Sequence, residues 1–117
     1  MKVIVAGSRK INEFLMVQWA IECSPWATQI TEIVSGQCEG VDLLGEQWAN
    51  EHNIPVAPFP ADWKRYGNAA GPIRNGQMAK YADVLIAIPG ERSKGTRDMI
   101  KQMKLEGKPV FIYRRGM

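Results

Sequence analysis

Two short turns hold the residue types best suited to chemistry in this 117-residue chain: Gly7-Ser8-Arg9 and Ser93-Lys94-Gly95-Thr96. The first follows the apolar run Val3-Ile4-Val5-Ala6, and the second follows Ile86-Ala87-Ile88-Pro89-Gly90. Glycine lets a backbone approach a ligand closely. A helix opening after such a turn offers unpaired N–H groups and the positive end of its dipole. Arg9, Lys94 and Arg97 add formal charge, and a guanidinium fork matches phosphate or carboxylate geometry. Ser8 contributes a hydroxyl, and Thr96 can cap a helix or donate to a phosphate. Together these residues imply a pocket for a phosphorylated, nucleotide-like molecule. The plainer alternatives are an ordinary strand-to-helix loop at residues 7–9 and a capped helix without ligand at 93–96. The second turn lacks the order G-x-x-x-x-G-K-[ST], so it is not a Walker A loop.

A third glycine-bearing turn is Ser35-Gly36-Gln37-Cys38-Glu39-Gly40-Val41-Asp42. It is not G-x-G-x-x-G, so the dinucleotide fingerprint fails. Asp42 suits either a ribose hydroxyl or the acidic first turn of a helix. Cys38 has no histidine near it in sequence to act as its base. In Asp62-Trp63-Lys64-Arg65-Tyr66, Trp63 and Tyr66 can stack on a base or cover the sheet edge. Arg74 and Asn75 fall in the first turn of a helix, where the dipole disfavours a cation. Arg74 therefore requires an anionic ligand or a nearby carboxylate. Met78, Met99 and Met103 read as core filling.

The elements that position these residues alternate between strand and helix. Strands are predicted at 3–6, 31–35, 54–59, 83–88 and 108–113. Pro55 and Pro58 make the third an edge strand, and the fourth is the most apolar and belongs inside the sheet. Helices are predicted at 11–23, 41–52, 72–81 and 96–106, with Pro72 as a first helical residue and Gly107 as a stop. Residues 61–71 read as irregular, and 114–117 as a short tail. Strand–helix–strand units of this length imply an α/β fold: a Rossmann-like three-layer sandwich with a mainly parallel five-stranded sheet and helices on both faces. Ligands in such sheets sit beyond the C-terminal strand ends, where the strand order reverses. The first and fourth strands are expected to be neighbours, which brings Gly7-Ser8-Arg9 beside Pro89-Gly90 and Ser93–Thr96.

Bulk properties narrow the class. The length suits one domain spanning 1–117. The net charge of +3 is too small to argue for a nucleic-acid binder by itself. Cys23 and Cys38 form no C-x-x-C pair and His52 is the only histidine, which speaks against a metal site. Two scattered cysteines suit reduced thiols in the cytoplasm. No run approaches the roughly 18 apolar residues of a membrane span, and the N-terminus does not read as a signal peptide. Trp19, Trp26 and Trp48 are large enough to anchor a homo-oligomer interface or to fill the core.

Taken in order, Gly7-Ser8-Arg9, Ser35-Gly36 with Gly40-Val41-Asp42, Pro60-Ala61-Asp62-Trp63, Gly71-Pro72-Ile73-Arg74-Asn75 with Met78, Ala82-Asp83, and Ser93-x-Gly95-Thr96 resemble the YspA-type branch of the SLOG superfamily. The resemblance covers nearly the whole chain. It implies a Rossmann-like fold and ties to nucleotides and their derivatives. The superfamily includes the LOG phosphoribohydrolases and the DNA-processing protein DprA. LOG enzymes carry an Arg-Lys pair before the fourth strand; Arg74 matches the arginine and Asn75 replaces the lysine. Their Pro-Gly-Gly-x-Gly-Thr-x-x-Glu motif survives as Pro89-Gly90 and Gly95-Thr96 with extra residues between. Met99 stands at the glutamate position, with Asp98 beside it. A methionine cannot exchange protons, so the acid–base partner of glycosidic cleavage is missing from its usual place.

Three functions follow as expectations. The first is binding of a nucleotide-derived ligand without turnover and without a cofactor, by a sensor or sequestering module. The second is cleavage of a nucleotide N-glycosidic bond, with Arg74 orienting phosphate or sugar and Asp98 or Asp42 as the acid. The third is a nucleic-acid-binding module using Lys64, Arg65 and the Arg114-Arg115 tail.

Overall fold

Alternate residues of the first strand are buried on opposite faces, and this decides the architecture. Strand β1 (Lys2–Gly7) sends Val3 and Val5 into one core and Ile4 and Ala6 into another. A strand apolar on both faces belongs inside a parallel sheet covered on both sides. The computed structural model, which describes residues 1–114, has that arrangement. Arg115 of the basic tail lies outside the described residues.

After β1 come α1 (Phe14–Cys23), β2 (Glu32–Ser35), α2 (Val41–Glu51), β3 (Val56–Pro58), α3 (Trp63–Tyr66), a 3-10 turn (Gly67–Ala69), α4 (Ala70–Tyr81), β4 (Val84–Ile88), α5 (Lys94–Leu105) and β5 (Val110–Ile112). The five strands lie in the order β3-β2-β1-β4-β5, every pair parallel. β1 and β4 are neighbours, in register from Val3 opposite Val84 to Gly7 opposite Ile88. The chain builds outward from β1 through β2 to β3, then crosses back to lay β4 on the other side. One core therefore holds Met16, Val17, Ile21, Val41 and Trp48 from α1 and α2. The other holds Met78, Ala79, Met99 and Met103 from α4 and α5. β3 is an edge strand and all five residues of β4 are buried, as the sequence predicts.

Several boundaries differ from expectation. α1 starts at Phe14 rather than Ile11, which leaves residues 8–13 as a loop over the strand ends. The stretch read as irregular contains α3, whose N-cap Asp62 accepts from the backbone N–H of Arg65 at 3.2 Å. α4 begins two residues before Pro72. Proline is tolerated there because first-turn N–H groups have no intrahelical acceptor. At its other end, α4 is closed by Lys108, whose Nζ donates to the carbonyls of Ala79, Lys80 and Ala82 at 2.8–3.0 Å. A cation at a helix C-terminus also opposes the dipole favourably. The tryptophans divide: Trp48 is core, Trp26 packs against that core, and Trp19 is exposed.

Candidate ligand-binding site

Beyond the C-terminal ends of β1 and β4 opens a cavity of about 750 Å³. This volume lies in the range of small-molecule sites, and the location is where open α/β sheets bind ligands.

Close backbone packing builds its floor. A Cβ on Gly7 would sit 2.2 Å from the Ile88 carbonyl oxygen, so only glycine lets β1 end this close to β4. The next residue, Ser8, donates its N–H to Ile88 at 3.0 Å, and its carbonyl accepts from Val41 N–H at 3.2 Å. Gly40 has φ of 79°, and a Cβ there would lie 2.3 Å from the Ser8 oxygen. The first and third glycine-bearing turns are thereby locked together at the start of α2. The Ser8 hydroxyl accepts from Lys10 N–H at 3.1 Å, which curls the Arg9 loop over the cavity mouth.

α5 contributes its N-terminus. Ser93 does not cap the helix through its side chain; its Oγ accepts from Gly90 N–H at 2.8 Å and so fixes the preceding loop. Arg97 N–H closes the first helical bond to Ser93. No described residue accepts from the backbone N–H of Lys94, Gly95 or Thr96, and all three residues line the cavity. Around Gly95 a Cβ would meet nothing within 4 Å, so the space before it is open.

Arg74 enters from α4 and is buried. Its Nη1 donates to the carbonyls of Gly36 at 2.6 Å and Phe59 at 3.4 Å, and its Nε to Asn75 Oδ1 at 3.0 Å. Asn75 passes the connection on: its Nδ2 donates to Gly95 O at 3.2 Å and to Asp98 Oδ2 at 2.9 Å. Cys38 Sγ sits 3.7 Å from both Arg9 Nη2 and Arg74 Nη2. Because α4 begins at Ala70, Arg74 lies past the first turn expected for it; the carboxylate near it is Asp42, which feels the charge of both Arg74 and Arg9.

Asp42 is buried at the start of α2 and lines the cavity. Burial raises its pKa from 3.8 to about 6, against the opposing pull of the Cys38 and Gly7 N–H groups, Arg74 and Arg9. A carboxyl raised on folding stabilises the fold below its unfolded pKa and loses that contribution as pH rises through the folded value. The stability advantage of the wild type over Asp42→Asn should therefore shrink by about 2 kcal/mol between pH 4 and pH 7. Urea unfolding of both proteins across that range measures it, and parallel stability curves would refute the assignment.

Of the residues singled out from the sequence, Gly7, Ser8, Arg9, Gly36, Asp42, Arg74, Asn75, Gly90, Ser93, Lys94, Gly95 and Thr96 line this one cavity. Arg9, in the loop after β1, and Thr96, in the first turn of α5, thus face the same space. Cys38, Met78 and Met99 line it as well, whereas Ser35, Gly40, Asp62, Trp63, Pro89 and Asp98 lie outside its lining. Ser35 is fully buried and donates its hydroxyl to Glu46 at 2.7 Å. Gly40 packs beneath the floor, Pro89 leads into Gly90, and Asp98 is engaged by Asn75. Asp62 lines a separate small cavity, and the ring of Trp63 lies 3.5 Å from where a Cβ on Gly71 would sit. Sequence reasoning overlooked Lys10, Glu91 and Arg92, which also line the main cavity. The Glu91-Arg92 insertion between Gly90 and Ser93 was the available signal. Five cationic side chains and two carboxylates now surround the space. Among the described residues no group of three or more His, Cys, Asp or Glu side chains could hold a metal ion. No described helix is long and apolar enough to cross a membrane.

An all-parallel Rossmann-like sheet with a cationic cavity at its β1/β4 switch point defines the class. The chain belongs to the YspA, cpYpsA-related SLOG family, whose model matches residues 1–66. It is 32% identical to the Gene 61 protein of Mycobacterium phage D29, over 96% of this chain and 95% of that protein. Its fold is similar to that of DNA processing protein A (DprA) from Streptococcus pneumoniae, with a TM-score of 0.75 at 20% identity. The match covers 95% of this chain and 49% of DprA, so the chain spans about half the length of that structure.

Proposed function

We propose that the chain, acting as one domain, binds a nucleotide or nucleotide-derived phosphorylated ligand in the cavity at the ends of β1 and β4. The supporting observation is the convergence on it of three helix N–H groups without acceptors and the cations Arg9, Lys10, Arg74, Arg92 and Lys94. The α5 N-terminus suits a phosphate, and the arginines suit its remaining oxygens. Asp42, between the floor and Arg74, suits a ribose hydroxyl. The reading is a sensor or sequestering module in the cytoplasm, where Cys23 and Cys38 remain free thiols. Self-association through α1 belongs to the same reading, since Leu15 and Trp19 are both more than half exposed there.

Arg9 is exposed, so replacing it leaves the fold intact. Calorimetry with a panel of nucleoside mono- and diphosphates should show binding to the wild type and a loss of about 10-fold or more in Arg9→Ala. Unchanged affinity would remove Arg9 from the site.

A second reading is cleavage of a nucleotide N-glycosidic bond, and Asp42 is the observation that favours it. A buried carboxyl with a pKa of about 6 is tuned for proton transfer near neutrality. Asp98, by contrast, is engaged by Asn75 and lies outside the cavity lining. Release of free base and ribose 5-phosphate, abolished in Asp42→Asn, is the outcome that would establish this reading over simple binding.

A further inference from the structure

A second, smaller cavity of about 220 Å³ lies on the other side of Arg74. Its walls come from two elements. α4 contributes Ala70, Ile73, Arg74 and Gln77, spaced as one stripe along a helix. The α3 segment contributes Asp62, Arg65 and Tyr66. The main cavity uses the adjoining stripe of α4, namely Arg74, Asn75 and Met78. Arg74 is therefore the shared wall, a buried cationic residue that lines both spaces.

The small cavity has the chemistry of a ring-binding site. Tyr66 and Ile73 are large apolar side chains left more than a third exposed beside it. The Arg65 guanidinium lies over the Tyr66 ring, 5.2 Å from its centre, so a cation covers one face of the ring and the guanidinium plane and the other face remain as stacking surfaces. Aromatic rings next to guanidinium planes stack on bases of any sequence. Asp62 and Gln77 add an acceptor and an amide at the rim, suited to the edge groups of a heterocycle. The volume accommodates one such ring system and little more.

We propose that this cavity is a second base-binding subsite, so that the ligand has two ring-bearing heads joined by an anionic linker crossing Arg74. The inference rests on the reading of the main cavity as a nucleotide site and specifies the class of nucleotide it takes. One nucleotide lies between Arg9 and the α5 N-terminus, its linking phosphate meets Arg74, and the second base stacks on Tyr66.

Calorimetry with AMP, the 5′-phosphorylated dinucleotide pApA and an oligoadenylate octamer tests this on the intact chain. The wild type should bind pApA about 10-fold more tightly than AMP, the scale of one stacked base. Tyr66→Ala should abolish that advantage and leave AMP affinity unchanged. Gln77→Ala, at an exposed position, provides a second variant that should narrow it. Equal affinity of the wild type for AMP and pApA overturns the proposal while leaving the main site standing. So does an equal loss for both ligands in Tyr66→Ala. An octamer that binds more tightly than pApA by more than its statistical gain in registers also overturns it, because the occupant is then a nucleic-acid strand. Failure of every probe to bind the wild type removes the nucleotide reading of the main cavity and this inference together.

Discussion

Arg74→Ala should weaken ligand binding by about 100-fold, or ~2.7 kcal/mol, the most costly single truncation in the site. Its guanidinium is held by Gly36, Phe59 and Asn75, so it is already aimed before any ligand arrives. Little ordering cost is then left for binding. The same substitution should lower stability by about 3 kcal/mol, because it strands buried acceptors at Gly36 and Asn75. It also removes a cation that favours ionised Asp42, so the Asp42 pKa should rise further above 6. Calorimetry and urea unfolding separate the two effects. Arg74→Lys distinguishes their origins: it keeps the charge but cannot reproduce the planar fork, so it should recover stability only in part and binding hardly at all. Full binding by Arg74→Lys would show that charge alone suffices.

Gly7→Ala should be the most destabilising change in the chain that adds a single carbon. The new methyl would have to share space with Ile88 O at 2.2 Å and Val41 Cγ2 at 2.8 Å. Neither neighbour is free to give way. Ile88 is the β4 partner of Gly7, and its oxygen also accepts the Ser8 N–H. Relief requires β1 and β4 to part at the centre of the sheet. We expect a loss of about 4 kcal/mol, at the upper end for single substitutions, read as a large fall in the urea midpoint. Gly95→Ala is the matched control. Its added carbon meets nothing, so stability should hold while ligand affinity falls. A Gly7→Ala protein within 1 kcal/mol of the wild type would mean that the strand ends are looser than the packing describes.

The main lines of the fold were legible because they rest on local patterns. Apolar runs at 3–6 and 83–88, each ending in glycine-bearing turns, identify two of the inner strands, β1 and β4, and place them side by side. Pro55 and Pro58 mark the edge strand for the same local reason. The short α3 was missed because four residues carry no helical period, and Asp62 was its one signal. The early start of α4 was missed because Pro72 reads as the first helical residue when it is the third, still within the first turn. Within the site, sequence identified side chains that reach the cavity from the strand-end turns. It misjudged those whose direction depends on packing. Nothing local tells that Ser35 turns to Glu46, that Asp98 turns to Asn75, or that Asp62 opens onto a different cavity. Arg74 is the instructive case: the expected misfit with the helix dipole assumed a helix starting at Pro72, whereas α4 starts at Ala70 and Arg74 lies past its first turn, with Asp42 nearby through tertiary packing.

The strand order has a consequence for biosynthesis. The centre of the sheet, β1, is made well before its partner β4, which begins only at Val84. Until then one edge of β1 has nothing to pair with, and its apolar Ile4 and Ala6 face can pack against α4 but not α5. Nascent chains carrying only β1, β2 and β3 expose an open parallel edge, the kind of surface that seeks partners in trans. β1 therefore stays paired on one edge only until β4 has been made, which leaves the sheet unfinished through most of this domain's synthesis.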